Sequence, residues 1–487
     1  MSEIYFAPIA LWEKHLALLV EIVWKNKSDG TQQTILHCDG SLPTCPANPT
    51  HAKKLCRDCI FQTKKAIKLF PAKTKHIWIG DIKPASIAKP HELEINISNI
   101  QSLREFTYDD VQFGKSIINT IASNSKDITL NSELIEHSNF LIEESIPLYN
   151  HLKIFLQNGF LNAYVWGGRR ISEQIFVSAA IKSGLKINYF EIGGTDKKIR
   201  ISRNNFFEYV NIINEYNQNL VDFDEMQLSD LYKFGKLTLE NLRMGISNLP
   251  EFKNFNDFED TKELEIIQNK ILQNGKKKVV FCTSSLWEFF EYDDSFNLTK
   301  DFKNQYDLIN RLLQDKFIND KFQLIIRYHP NVVNAGPGEL QLIEELLSIE
   351  TEAIQIPPHA KINTYNLIEH SSYVITSGST IGLEAAANGQ QVILTGRSIY
   401  EQLKSFHKPK DYGHLLDILM KELENKIYFE EIYYLFGWIN SVGDNLKHVS
   451  LSNKKYFFGK RRIRRRPIKT RIVEILNATV YLLKSIV

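Results

Sequence analysis

The sequence predicts an α/β fold of two Rossmann-like domains, a helical connector between them and further helices towards the C-terminus. Three observations predict it. Apolar strand-like runs alternate with helical-period segments over 1–199, and again over 276–400. Residues 200–275 are polar and helical, with no strong strand. The 487 residues are 43% apolar and 24% charged, with 29 Phe and 20 Tyr, enough for two or three domains with sizeable cores.

The elements follow in order. IYFAPIA (4–10) reads as a strand, LWEKHLALLVEIVWKN as a helix with apolar residues at helical spacing, and TILHCDG (34–40) as a second strand. This is a βαβ start and implies a parallel sheet. HIWIGDI (76–82) is another strand, and 100–156 reads as mainly helical. AYVWGG (163–168), a helix through ISEQIFVSAAIKSG and LKINYFEIGG (185–194) form a further unit. The second block opens at KKKVVFCTSS (276–285) and continues with a helix near 302–317 and the strand FQLIIRYHP (322–330). A helix at 338–348, the strand AIQIPP, a helix at 363–370, the strand SYVITSGST (372–380), a helix at 381–388 and the strand QQVILTG (390–396) complete a doubly wound sheet. Residues 401–453 are helical and rich in aromatics, and 454–487 form a basic amphipathic tail.

Charge and hydropathy exclude several classes. No run of about 18 apolar residues exists, so no membrane-spanning helix is read. MSEIYFAPIALWEKH lacks a basic region ahead of an apolar one, so no signal peptide is read and a reducing cytoplasm is expected. The chain is at +2 and residues 454–471 (KKYFFGKRRIRRRPIKTR) are at +10, while Glu474 and Lys484 cancel; residues 1–453 therefore carry −8. An acidic body with a basic tail points to a soluble enzyme carrying an anion-seeking segment, with no nucleic-acid partner.

Ligands of open α/β sheets sit at the carboxyl ends of strands, so residues there are the candidates. Arg327, His329 and Pro330 end one strand. Ser377, Gly378, Ser379 and Thr380 end the next, directly before a helix that carries Glu384. Such a strand–turn–helix junction offers N–H groups and a positive dipole end to a phosphate. The Ser379 and Thr380 hydroxyls add donors, and Glu384 is placed to accept from a ribose hydroxyl. Ser284 and Ser285 line the same crevice. The alternative for SGST is a helix cap. In the first block Glu191 ends a strand, where a carboxylate can serve as a general base, and Arg169 nearby can orient an acid group; an ion pair between Glu191 and Arg169 or Arg170 is the alternative.

Four of the five cysteines fall in one loop, 37–60, as C-x6-C-x10-C-x2-C: Cys38, Cys45, Cys56 and Cys59. A closing C-x2-C is a metal knuckle, because two thiolates share one tetrahedral ion. A structural zinc is the first expectation and an iron–sulfur cluster the second, with His37 and His51 as substitute ligands. Unligated thiols or one disulfide are the alternatives. Cys282 reads as core. FGKSI (113–117) lacks the first Gly of a P-loop and Asp293–Asp294 is an isolated pair, so neither is used.

RYHPN followed by IPPHAKINTYNLIEHSSYVITSGSTIGLEAAANGQQVIL resembles the capsule polysaccharide biosynthesis family of bacterial glycosyltransferases. Its His-Pro and Ser-Ser/Thr motif pair is similar to that of bacterial sialyltransferases and Kdo transferases. The resemblance is clearest over 276–400. It implies the two-domain GT-B architecture and metal-independent chemistry. It also implies that His329 contacts the donor phosphate or nucleotide, Ser379 and Thr380 hold the phosphate, and Tyr365 and Asn366 lie near the base. YVWGGRR (164–170) resembles a family Asn-Gly-Arg stretch with Gly168 in place of the Asn. YFEIGGT resembles the Glu-x-Gly turn that follows, though it departs from the acidic-pair-Gly base motif of the sialyltransferases. LRMGISN (242–248) also resembles a family stretch.

The function expected is transfer of a sugar from a nucleotide-sugar donor, CMP-linked acidic sugars first, to a lipid-linked or growing capsule or O-antigen glycan. The tail face of Ile472, Ile475, Leu476, Thr479, Leu482, Leu483 and Ile486 beside the basic run suits peripheral contact with an anionic membrane, on its inner face. The rival readings are a nucleotide-sugar 2-epimerase-like enzyme and a non-catalytic assembly or export component.

Overall fold

The computed structural model describes residues 2–82, 97–127, 131–157, 159–206, 208–244, 275–289, 301–463, 472–473 and 476. It divides into two units, residues 1–207 with 442–487, and residues 208–441.

The first unit holds β1 (Ser2–Phe6), β2 (Gln32–His37), β3 (Lys75–Trp78), β4 (Asn162–Trp166), β5 (Lys186–Ile192) and β6 (Lys198–Ser202). The second holds β7 (Lys277–Cys282), β8 (Phe322–Arg327), β9 (Ile354–Ile356), β10 (Tyr373–Thr376), β11 (Gln391–Leu394) and β12 (Phe406–His407). The chain then returns to the first unit with β13 (Asp444–Asn445), β14 (Val449–Ser452), β15 (Lys455–Phe458) and β16 (Arg461–Arg462).

The sheet orders are β13-β6-β5-β4-β1-β2-β3 and β12-β11-β10-β7-β8-β9. Strands β3-β2-β1-β4-β5 are parallel, as are all six of the second sheet. Both therefore follow the doubly wound 3-2-1-4-5 order, so the α/β reading with two Rossmann-like units holds. Continuous apolar runs explain this: Val279, Val280, Phe281, Leu324, Ile325 and Ile326 are wholly buried, as expected for central strands covered on both faces. The order reverses between β1 and β4, and between β7 and β10, which places one ligand crevice in each unit.

Three features differ from the sequence reading. Strand β6 occupies the start of the expected connector and pairs antiparallel with β5. The connector helices Tyr209–Asp222 and Glu225–Arg243 belong to the second unit, where Glu225–Arg243 packs along Phe429–Ser441. The end of 401–453, read as helical, and the start of the basic tail instead form a three-stranded antiparallel sheet, β14-β15-β16, packed on the helix Glu13–Lys25. Two acids on that helix hold it. The buried Glu21 carboxylate accepts the N–H groups of Lys447, His448 and Val449, each at 2.8 Å. Glu13 accepts from Tyr456 N–H (3.2 Å) and pairs with Arg462 (3.1 Å). On a helix these acids read as a solvent face; a distant segment satisfies them instead.

Of the tail face, Ile472 and Leu476 are exposed and Val473 packs on an apolar cluster of the first unit. Ile475, Thr479, Leu482, Leu483 and Ile486 lie outside the described residues, as do Asp293, Asp294 and 245–274. Among the described residues no helix is long and apolar enough to cross a membrane.

Candidate functional site

In the second unit, the loops after β7 and β10 flank the crevice. Ser284 Oγ donates to the Ser377 carbonyl at 3.3 Å, tying the two loops together. The Thr283 hydroxyl accepts from His329 N–H at 2.8 Å, so the loop after β8 joins them. His329 Nδ1 accepts from Asn331 N–H at 3.2 Å and lies 3.5 Å from Ser285 Oγ. Burial, and then the Arg327 charge, push the His329 imidazole down to about 4. The ring is therefore neutral at pH 7, and with Nδ1 accepting, its proton sits on Nε2 as a donor. Pro330 opens the short turn Pro330–Asn334 that His329 caps.

The Ser377–Thr380 turn is shaped by Gly378, whose φ of +90° is reserved for glycine. Ser377 Oγ is 2.8 Å from Thr395 Oγ1, and the buried Tyr400 hydroxyl donates to the Ser379 carbonyl. Ser379 is half-buried and Thr380 exposed. These contacts fix the turn's backbone, while the Thr380 side chain bonds to Glu384 and Ser379 Oγ accepts from Ile381 N–H at 3.5 Å.

Arg327, Glu384 and Tyr365, expected as ligand residues, have structural partners. Arg327 is buried and donates to the carbonyls of Pro357 (2.9 Å) and Ala360 (3.2 Å), so it shapes the loop after β9. Glu384 is buried and accepts from the Tyr365 hydroxyl; burial raises its carboxyl, which Tyr365 and Thr380 partly offset. Asn366 is exposed on the short helix Thr364–Glu369. Sequence reasoning missed the braces beneath the crevice. Gln305 takes Ser284 N–H (2.9 Å) and donates to its carbonyl (2.6 Å), and the buried Glu339 accepts from Leu286 N–H and the Tyr306 hydroxyl, both at 2.7 Å. Their helical settings give no signal in one sequence. Arg243, in the LRMGISN stretch that had no role, acts electrostatically on both Glu384 and Tyr365.

In the first unit, the ends of β4 and β5 and the helix after β1 gather another polar group. His15 is buried, stacked on Trp166 at 3.7 Å and edge-on to Trp12 at 4.6 Å. Burial and the nearby Arg170 and Lys14 drive its imidazole well down, so it is neutral. Arg170 lies over the Trp12 ring at 5.5 Å, and Arg170 N–H bonds to the buried Glu173 at 3.1 Å. Glu191 is half-buried; burial pushes its carboxyl up to about 8, opposed by its own neighbour Ile192 N–H at 3.1 Å and by Arg170. Arg169 Nε donates to Asn119 Oδ1 at 3.2 Å. Gly168 has a reason to depart from Asn: its φ is +98°, and a Cβ there would lie 2.6 Å from the Tyr189 ring. His15 and Glu173 were not found from sequence, because a lone His near a helix start carries no motif.

Cys38, Cys45, Cys56 and Cys59 share the loop and helix that follow β2, and all five cysteines are thiols. His37 is not with them: its Nε2 is 2.9 Å from His76 Nδ1, and the two rings stack. His51 bonds to the Pro43 carbonyl within the loop.

Residues 255–403 match the model of the capsule polysaccharide biosynthesis protein family. The capsule family resemblance read from the His-Pro and SGST motifs is thus borne out over the part of the chain that carries them. No curated protein matches the chain. Among solved structures, the KpsC beta Kdo 2,7 transferase of Thermosulfurimonas dismutans is 15% identical over 68% of this chain and 89% of its own, with a TM-score of 0.35. The UDP-GlcNAc 2-epimerase of Neisseria meningitidis is 12% identical over 90% and 93%, with a TM-score of 0.26. Scores this low support no inference about this chain.

Proposed function

We propose that the chain is a glycosyltransferase of capsule or O-antigen assembly with the two-domain GT-B plan. It takes a nucleotide sugar, a CMP-linked acidic sugar first, in the crevice of the second unit. The observation that carries this is the junction of three strand-end loops, where neutral His329 and the Ser377–Thr380 turn stand together inside the segment matching the capsule family. The acceptor hydroxyl attacks the anomeric carbon, the bond from that carbon to the donor's phosphate oxygen breaks, and the nucleotide leaves with that electron pair. His329 Nε2–H and the N–H groups and hydroxyls of the turn stabilise the departing phosphate. Glu191 takes the acceptor's proton and Arg169 orients an acid group. No catalytic metal is invoked. The exposed Lys454, Lys455, Lys460 and Arg461, together with the segment beyond, hold the enzyme to an anionic inner membrane surface near a lipid-linked glycan.

Calorimetry with CMP, UDP, GDP and CDP tests this. CMP is expected to bind most tightly, and His329→Ala to weaken it about tenfold to a hundredfold, or about 1.4 to 2.8 kcal/mol. Preference for UDP or GDP would replace the donor, and an epimerase assay would then be the next arm. No binding of any of the four, from protein with an intact melting transition, would sink the site and favour a non-catalytic component.

A further inference from the structure

The loop between β2 and the helix Lys53–Ala66 runs through 38–52 with neither strand nor helix. So long an irregular stretch inside a compact unit needs something to fix it. Part of the answer is polar: Asp39 accepts from Gly80 N–H at 3.0 Å, and the buried Asn48 accepts from Ala52 N–H at 2.9 Å. The rest centres on sulfur. Gly40 N–H points at Cys38 Sγ at 3.3 Å, and Leu42 N–H bonds to the same sulfur. Ala47 N–H bonds to the Cys45 sulfur, and Asn48 Nδ2 donates to Cys56 Sγ at 3.1 Å.

The pattern repeats. In both Cys38-x-Gly40 and Cys45-x-Ala47, the N–H two residues on turns back to the sulfur. Gly40, at φ +97°, takes the left-handed backbone that this turn needs. Cys56 and Cys59 sit three apart in the first two turns of the helix, which puts them on one face. Cys45 lies within electrostatic reach of the other three thiols. With donors turned toward three of the sulfurs and Cys45 near the other three, the loop gathers the all-sulfur ligand set that a soft cation takes.

We propose that Cys38, Cys45, Cys56 and Cys59 form a four-thiolate centre for a structural zinc ion. Four sulfur ligands with a C-x2-C pair suit a tetrahedral d10 cation that supplies no chemistry of its own. Among the described residues no group of three His, Cys, Asp or Glu already stands at metal-holding spacing. Binding would draw the four sulfurs together and release their thiol protons. The centre would brace more than its own loop. Cys45 and Cys59 pack against the cluster of Ile9, Leu11, Ala47 and Leu55, which also backs Trp12, the ring beside His15 and Arg170. The inference is independent of the reaction proposed above.

Metal analysis of the full chain, purified without chelator, tests it. About one zinc per chain is expected, and cobalt substituted for it should show the thiolate charge-transfer and tetrahedral bands of a sulfur-only site. Cys45→Ser and Cys59→Ser should each lose most of the metal, while Cys282→Ser, buried in β7, keeps it. If the loop variants do not fold, a mercurial titration of the wild-type chain serves instead, and zinc release should track about four thiols. Iron with acid-labile sulfide would overturn the zinc assignment. Metal-free chain whose four loop thiols alkylate freely in the native state would overturn the centre altogether.

Discussion

Glu191→Gln is expected to abolish transfer while raising the melting temperature at pH 7. The two effects have one cause. The Glu191 carboxyl sits at the end of β5, where burial pushes it up to about 8 from an ordinary 4.5. As the proposed base for the acceptor hydroxyl it works only when deprotonated, so kcat/KM should climb about tenfold per pH unit below 8 and level off above it. Gln offers no basic oxygen, and the loss should reach a factor of about 10^2 to 10^4. Stability runs the other way. The folded group binds its proton more tightly than the unfolded one, so native stability falls as pH rises from 4.5 through 8. At pH 7 that cost is on the order of 3 kcal/mol, less what the water still reaching this half-buried carboxyl returns. Gln escapes it. Melting curves at pH 5, 7 and 9, with initial rates on a donor sugar carrying the nucleotide that binds most tightly, check both halves. A variant that is active, or that melts lower than wild type at pH 7, would show Glu191 to be a charged structural partner.

The sequence made the two sheets legible because parallel strands buried on both faces leave continuous apolar runs, as in VVF of β7 and LII of β8. The strand-end candidates followed from those runs, and His329, Ser284 and Ser377 do meet at one crevice. What stayed hidden depends on distant pairing. Strand β6 is an edge strand whose alternation, KIRIS, is too short to separate from a polar helix. Glu13 and Glu21 look like surface acids until β14–β16 arrive more than four hundred residues later to donate to them. Arg327 carries a ligand-like label from its motif, yet two backbone carbonyls take its guanidinium. His15 and Glu173 are ordinary residues of ordinary helices, made unusual only by burial beside Trp166 and Arg170.

Gly437→Val is expected to unfold or strongly destabilise the second unit, and Gly235→Val to do the same. The helices Glu225–Arg243 and Phe429–Ser441 cross at a matched glycine pair. A Cβ on Gly235 would fall 2.0 Å from the Tyr433 carbonyl oxygen, and one on Gly437 would fall 2.3 Å from that of Leu231. Neither obstacle is a side-chain tip that can swing away; both are backbone. Helix propensity alone favours replacing either glycine with alanine by about 1 kcal/mol. Forcing the helices apart strips apolar contact along the most extensively packed helix pair among the unit's described residues, at about 3 kcal/mol or more, so the steric effect wins. Residues Phe429–Ser441 also pack on Ile381–Ala387, the helix that starts at the Ser377–Thr380 turn, so affinity for nucleotide should fall with stability. Gly275→Ala, with nothing within 4 Å of its Cβ, is the control and should leave melting unchanged. Because both valines disturb one crossing, the double variant should cost less than the sum of the singles. A Gly437→Val protein melting within about 2 °C of wild type would mean that the two helices do not meet at these glycines.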